Sequence, residues 1–397
     1  MVKLNESHRS YLRETFGSRV TFHEAECKFY GHDIAALPKF ARTLLGKTIP
    51  AGVVQPESEG ELVSLLRWAR ENGIPLTPRG KATSGYGGVL PLKQGLVVDF
   101  YRMNRVVRID SSGLTATVQA GVVWEKLDQA LGKEGLALRL YPSSYPSSTV
   151  GGWLAQGGAG IGSYEAGWFR DNVVSARVVL PNGEVKDFEG RDLDLVSEME
   201  GITGLISEVT LRIQALEDLE VVSISNRSAR DFQRLAESLI ERKLPLWSLI
   251  FINPRMADLK NKAPRMEHGG HPVEERVVLP VSYVTNLTYR RKDRERVIGP
   301  LEEILRSCRG ERLPDEIAKH EWNRRFKLML VKRLGPSLVP SEIVIPLSAL
   351  GDVMEEIEGK VKQPIVKEGV VIRQGANGRA EVVLLGFIPS ELLFGQP

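Results

Sequence analysis

Cysteine is almost missing from this chain: Cys27 and Cys308 are the two in 397 residues, and they stand far apart. That rules out a disulfide framework and any iron–sulfur cluster, which draws about four cysteine ligands from a tight spacing. Two reduced thiols suit a cytosolic protein. Long apolar runs are missing too. No stretch approaches the roughly 18 apolar residues of a membrane-spanning helix. Met1-Val2-Lys3-Leu4-Asn5-Glu6-Ser7-His8 has no apolar core of a secretory signal. The expectation is a cytoplasmic protein that would reach a membrane only peripherally, through a partner. Net charge is +3, from 53 basic against 50 acidic residues, and no basic block is interleaved with aromatics. A nucleic-acid footprint is therefore excluded. Arg290–Arg296 is arginine-rich but carries acids as well, and reads as a solvated helix face. No internal repeat or low-complexity segment occurs.

What is present is a soluble composition, 42% hydrophobic and 26% charged, in a chain longer than one core usually serves. Its most informative feature is a pair of glycine-rich stretches about seventy residues apart. The first runs Thr77-Pro78-Arg79-Gly80-Lys81-Ala82-Thr83-Ser84-Gly85-Tyr86-Gly87-Gly88. The second runs from Pro142-Ser143 through Ser148-Thr149-Val150-Gly151-Gly152 to Gln156-Gly157-Gly158-Ala159-Gly160. Glycine lets backbone N–H groups turn inward and approach an anion, and neighbouring hydroxyls add donors. Two such loops suit a dinucleotide pyrophosphate gripped from two sides. Competing motifs fail. A G-x-G-x-x-G turn starting at Gly158 and Gly160 has Ser163 at its third glycine, and a nucleoside-triphosphate loop over Ala41–Thr48 has Ala41 where its first glycine must stand.

Residues 1–48 read as a helical lead-in, with helices over Ser7–Phe16 and Ala35–Leu45. Over 49–216 short apolar strands (Val53-Val54, Leu76–Pro78, Gly95–Asp99) frame a helix from Glu59 to Asn72, whose Leu62, Leu65, Leu66 and Ala69 recur at helical spacing. Hairpins follow over 106–120 and 173–188, with a helix Trp124–Lys133 and strands Leu136–Leu140 and Leu205–Ile213. After Leu216 the pattern changes. Strand Val221–Ser225, helix Ala229–Arg242, strands Ser248–Asn253 and Arg276–Thr288, helix Asp293–Arg306, strand Leu338–Pro346 and helix Leu350–Val361 suit an antiparallel sheet covered by helices.

In this order the pieces resemble the FAD-binding domain of the vanillyl-alcohol oxidase / PCMH superfamily. They are Val53-Val54-Gln55-Pro56, Ile74–Gly80, Val97–Phe100, Ala116–Val122, the Pro-Ser…Gly-Gly loop, Arg170-Asp171-Asn172-Val173, Val178–Glu184 and Glu200-Gly201-Ile202-Thr203-Gly204-Leu205-Ile206. The branch they look most like is the FAD subunit of glycolate oxidase and D-lactate dehydrogenase. The resemblance implies an α+β fold: a two-subdomain FAD-binding domain over 49–216, then a ferredoxin-like α+β cap over 217–397 that encloses substrate. It covers the first domain densely and the cap in patches.

The resemblance also implies site residues. Pro78, Arg79, Gly80, Lys81, Ala82, Thr83, Ser84 and Gly85 would wrap the FAD pyrophosphate, with Arg79 as counter-charge or structural brace. Pro142, Ser143, Ser148, Thr149, Gly151, Gly152 and Gly158 would line its other side. Gly201, Gly204 and Ile206 would lie near the adenine edge. Relatives with covalent flavin carry a histidine in the first loop; this loop has none, which implies non-covalent FAD. In the cap, Trp322-Asn323-Arg324-Arg325 resembles a W-x-x-R segment whose arginine contacts substrate carboxylate, so Arg325 is the matched residue. His320 is the base candidate, and Glu342 could orient a cation. The family's late H-x-G-D-G-N-x-H segment is replaced by Ile372-Arg373-Gln374-Gly375-Ala376-Asn377-Gly378-Arg379, without histidine. Its further C-terminal helices do not appear before Pro397. His268 and His271 lack a third ligand nearby, so no metal site is expected.

The leading expectation is an FAD-dependent subunit that oxidises a small 2-hydroxy acid, lactate- or glycolate-like. It would hand electrons to an iron–sulfur or quinone-linked partner, because so few cysteines cannot wire them onward within this chain. Direct use of O₂ stays open. The alternatives are a non-catalytic or electron-relay flavin subunit of a larger redox complex, and a small-molecule sensor built on the cap.

Overall fold

The computed structural model describes residues 4–34, 46–263, 267–268, 271–272, 277–327, 338–361, 366–375 and 378–389. Two compact units emerge. Met1–Gly158 with Phe169–Leu216 form the first, and Ala159–Trp168 with Glu217–Pro397 form the second. The expected helix over 35–45 falls outside the described residues.

In the first unit, β1 (Val20–Thr21), β2 (Gly52–Val54), β3 (Leu76–Arg79) and β4 (Leu96–Asp99) make a sheet of order β1-β2-β4-β3. β2 and β3 both run parallel to β4, which is buried along its whole length. Parallel neighbours need a crossover, and the helix Glu59–Glu71 supplies it. Ser58 caps that helix by accepting from the Glu61 amide, and Leu62, Leu65, Leu66 and Ala69 form its buried stripe. A second, antiparallel sheet contains β5 (Val106–Asp110), β6 (Thr115–Gln119), β7 (Leu136–Leu138), β8 (Val173–Val179), β9 (Val185–Glu189) and β10 (Leu205–Ala215). Its order is β5-β6-β10-β8-β9, with β7 also paired to β10.

The second unit is built on one antiparallel sheet. In chain order its strands are β11 (Leu219–Asn226), β12 (Leu246–Ile252), the small hairpin β13 (Glu267–His268) and β14 (His271–Pro272), β15 (Tyr283–Arg290), β16 (Glu311–Arg312), β17 (Leu338–Pro346), β18 (Val366–Ile372) and β19 (Glu381–Pro389). The hairpin stands apart; the other seven run β16-β11-β15-β12-β18-β19-β17. Helices Ala229–Glu241, Arg294–Cys308 and Leu350–Lys360 press Phe232, Leu235, Leu239, Val297, Leu301, Leu305, Leu350 and Met354 onto it, against Leu249, Phe251, Leu287 and Val371. Burial of a Leu or Phe side chain is worth about 1.5–3 kcal/mol, so this face is the unit's main source of stability.

Helices Pro254–Lys262 and Asp315–Asn323 and strands β18 and β19 were not expected, and two further stretches depart from their expected form. The strand expected over 276–288 occupies Tyr283–Arg290; Pro280, which cannot donate to a ladder, precedes it, and the Ser282 amide turns back onto the Pro280 carbonyl. Within the second glycine-rich stretch, Val150–Gln156 is helical. Thr149 caps it and Val150, Trp153 and Leu154 are buried, so tertiary packing overrides the poor helix propensity of Gly151 and Gly152.

Candidate functional site

A cleft in the first unit, fronting about 860 Å³ of space, is lined by both glycine-rich stretches. Pro78 to Ser84 form one wall, Ser148, Thr149, Gly151 and Gly152 another, and Gly201, Gly204 and Ile206 a third. Gly85, Pro142, Ser143 and Gly158 do not line it. Gly88, Val89, Phe100, Ala120, Ser144, Trp153, Ala155, Gln156 and Glu200 do, and were not anticipated. A pattern of glycines and hydroxyls does not point to apolar or acidic wall residues.

Close backbone approach is what brings the walls together. A Cβ on Gly80 would stand 2.4 Å from Thr149 Oγ1, and that oxygen is already accepting from the Gly152 amide at 3.2 Å. Gly201 has φ +78, and a Cβ there would meet Pro78 Cγ at 2.6 Å. The cleft floor is held by an aromatic cluster. Trp153 stacks on Phe169 with ring centroids 4.1 Å apart, and Trp124 meets both edge-on.

Arg79 is a brace. Its guanidinium donates to the carbonyls of Tyr30 (3.3 Å), His32 (3.0 Å) and Phe29 (3.4 Å), and lies over the Tyr30 ring. Burial lowers its pKa. The Tyr30 hydroxyl in turn donates to Asp99 at 2.9 Å, which ties this segment to the end of β4. Lys81 lies 4.3 Å over the Tyr101 ring. Glu200 is the acidic wall residue, with its carboxyl pushed up by burial. Among the described residues no histidine or cysteine lines the cleft.

The second unit has its own cavity on the sheet face opposite the Ala229–Glu241 helix, fronting about 570 Å³. Its sheet contributes Ser248, Ile250 and Ile252 of β12, Asn286 and Thr288 of β15, and Glu368 of β18. Helices Pro254–Lys262 and Asp315–Asn323 bring Lys260, Glu321 and Trp322, and the turn after the second brings Arg324 and Arg325. The Arg325 guanidinium lies 3.9 Å from the Trp322 ring centroid and 4.6 Å from that of Phe326, and donates to the Trp322 carbonyl at 2.7 Å. Stacking and that bond fix its plane.

Lys260 and Glu321 form an ion pair whose carboxylate side chain is 2% exposed. Burial alone would raise the Glu321 pKa, but Lys260 and His320 together hold it at about 2. His320 sits between two partners. Arg324 Nη1 lies 3.2 Å from its Nε2, and Arg can only donate, so Nε2 accepts and the ring proton is on Nδ1, 3.3 Å from Glu321 Oε1. His320 does not line the cavity, and Glu342 is an exposed residue of β17 outside it. His268 and His271 face each other in backbone register across β13 and β14. Among the described residues no group of three or more His, Cys, Asp or Glu is placed to hold a metal, and no helix is long and apolar enough to cross a membrane.

Lys260, Glu321 and Glu368 were missed, although two of them leave a readable trace. Met256, Ala257 and Lys260 share one helix stripe, and Ile317, Ala318 and Glu321 share another. A charge at the i+4 position of an apolar stripe has to find a partner, and these two found each other.

The family described as the FAD binding domain matches residues 50–189. The first unit therefore carries an FAD-binding domain, with the PCMH-type fold, and the chain is related to FAD-linked oxidoreductases. It is related to glycolate oxidase and to D-lactate dehydrogenases. Glycolate oxidase subunit GlcD of Bacillus subtilis is 26% identical over 329 residues, 78% of this chain and 68% of the relative. Mitochondrial D-lactate dehydrogenase (cytochrome) of Arabidopsis thaliana is 36% identical over 187 residues, 45% of this chain and 33% of the relative. The second match thus spans about one third of the relative's length. Two solved structures share the fold across nearly the whole chain. Alkyldihydroxyacetonephosphate synthase has a TM-score of 0.78 at 19% identity, covering 99% of this chain and 81% of its own. p-Cresol methylhydroxylase with substrate bound has 0.73 at 12%, covering 98% and 85%.

Proposed function

We propose that the chain oxidises a small 2-hydroxy acid and passes the electrons to an iron–sulfur or quinone-linked partner. The observation that carries this reading is the fixed guanidinium of Arg325 on the wall of a cavity in the second unit that mixes apolar and hydrogen-bonding side chains. A planar, permanently charged donor pair matches a carboxylate. Lys260 and Arg324 add positive charge to the same wall, while Ser248, Asn286 and Thr288 offer neutral hydrogen-bonding groups for a hydroxyl. Flavin bound in the first unit supplies the two-electron acceptor. The segments Pro78–Gly85 and Ser148–Gly152 would hold its pyrophosphate through backbone N–H groups and hydroxyls, with Arg79 keeping the first of them in place. Names among the relatives, glycolate oxidase subunit and D-lactate dehydrogenase, support the substrate class.

The test is anaerobic bleaching of the flavin bands by D-lactate, L-lactate, glycolate and D-2-hydroxyglutarate in turn. At least one should bleach the protein, and Arg325→Ala should then need at least about 100-fold more acid for half-maximal bleaching, the loss expected for a charge-assisted bidentate pair. Its flavin content should not change. Bleaching of Arg325→Ala at wild-type acid concentrations would sink the assignment. A second reading, an electron-relay subunit, is favoured by the histidine-free segment Ile372–Arg379. It predicts a yellow protein that dithionite bleaches and none of the four acids does.

A further inference from the structure

Removing a hydride from a 2-hydroxy acid leaves a proton to be taken from its hydroxyl, and the histidine first considered for that task is occupied. His320 gives Nε2 to Arg324 and turns Nδ1 toward Glu321, outside the cavity. Glu321 is committed to Lys260. A third carboxyl shares the cavity. Glu368 stands on β18, in register with Ile252 of β12 and Leu385 of β19, and is half-buried. Its next neighbour, Gly369, packs so tightly on Phe251 that a Cβ would come within 2.0 Å of the ring, which locks this part of β18 in place.

We propose that the Glu368 carboxylate, which shares its cavity with the Lys260–Glu321 pair, accepts the substrate's hydroxyl proton in the reaction proposed above, on which this inference rests. The hydroxyl O–H bond breaks with its proton going to Glu368, and the C–O bond becomes a carbonyl. The C–H hydrogen would leave with its electron pair to a flavin held by Pro78–Ser84 and Ser148–Gly152, which supplies the two-electron oxidant when bound, so that a 2-oxo acid and a neutral Glu368 remain. A base for this step works best near the operating pH. Burial raises Glu368; Lys260 opposes this and Glu321 adds to it, and the carboxyl settles at about 7. The charged groups that share the cavity with it are Lys260 on the Pro254–Lys262 helix, Glu321 on the next helix, and Arg324 and Arg325 after that; the short helix Ser163–Ala166, which packs on β18, carries Glu165, paired with Arg290. Further along the sheet stand Arg373 just past β18 and Glu381 at the start of β19, while β12 carries no titratable residue.

The experiment compares wild type, Glu368→Gln and Glu368→Asp, all loaded with FAD, in two measurements. Anaerobic bleaching by whichever of the four acids reduces the wild type should accelerate as pH rises through about 7. Glu368→Gln should be slower by at least about 100-fold and lose that dependence, with no matching change in half-saturating acid, and Glu368→Asp should recover part of both. Infrared difference spectra of wild type minus Glu368→Gln, recorded without acid, should show a protonated carboxyl band that disappears above about pH 7. A Glu368→Gln protein that bleaches at the wild-type rate, or a carboxyl that titrates in the ordinary range, overturns the inference. A wild type that no acid bleaches removes the parent reading and this role with it. In that case a near-neutral carboxyl band would locate the fault in the substrate assignment and not in Glu368.

Discussion

A methyl group placed on Gly80 should weaken FAD binding by at least about 100-fold, roughly 2.7 kcal/mol, while the circular dichroism of the protein stays unchanged. The added Cβ would stand 2.4 Å from Thr149 Oγ1. That oxygen cannot swing aside freely, because it caps the Val150–Gln156 helix through the Gly152 amide. The clash is therefore relieved by parting the two walls of the cleft, which moves the backbone N–H groups of both glycine-rich runs. Thr149→Ala removes the offending oxygen at a cost of about 1 kcal/mol for the lost cap. Gly80→Ala/Thr149→Ala should accordingly bind FAD more tightly than Gly80→Ala alone, a rescue that general destabilisation would not produce. Fluorescence titration of the apoprotein with FAD reads both. If Gly80→Ala holds flavin as the wild type does, the contact between the loops is not what shapes the cleft.

Lys260→Met should destabilise the second unit by about 3–5 kcal/mol at pH 8, because it strands the buried Glu321 carboxylate. The pH dependence separates this from simple loss of packing. Glu321 is held below its ordinary value of 4.5, so its contribution is complete above pH 4.5 and is lost as pH falls through about 2. Without Lys260 that carboxyl is free to rise, and the mutant should regain stability as the pH is lowered toward 5. Lys260→Met/Glu321→Leu, an apolar pair of similar volume, should recover most of the loss at pH 8. Glu368 works in the opposite sense. Its raised pKa costs nothing below pH 4.5 and its full penalty above about 7, so Glu368→Gln should stabilise the unit at pH 8, by roughly 2 kcal/mol once solvent screening of a half-buried group is allowed for. Thermal unfolding of the holoprotein across pH 5–8 measures all three variants against the wild type. A Lys260→Met protein that unfolds with the wild type at pH 8 would refute the pairing argument.

The glycine-rich cleft of the first unit was largely legible in the sequence because its walls are local runs. Gly80 to Ser84 and Ser148 to Gly152 are contiguous runs whose residue types already describe a backbone cradle. The helix Val150–Gln156 was hidden inside one of those runs, since its stability comes from Trp153 stacking on Phe169 and not from propensity. The second cavity was less legible for a different reason. Arg325 could be found from its place beside Trp322, but Glu368 reaches the same cavity from a strand more than forty residues later in the chain. Nothing within a window of sequence says that β18 lies beside β12. His320 shows the converse: the right residue type in the right neighbourhood, with both nitrogens turned to structural partners.

The ten residues Ala159–Trp168 leave the first unit, join the second and return. Within the second unit Tyr164 is 1% exposed among the residues of its main core, and Glu165 makes a two-pronged bond to Arg290 at 2.8 and 3.0 Å. A gene fragment encoding residues 217–397 alone would thus omit a core tyrosine and one of the two carboxylate partners of Arg290, leaving it only Glu217. The second unit cannot be transplanted by a single splice. An exchange of the second unit between homologues must carry this decapeptide along with the distal segment, so recombination at one crossover point yields hybrids with mismatched interiors.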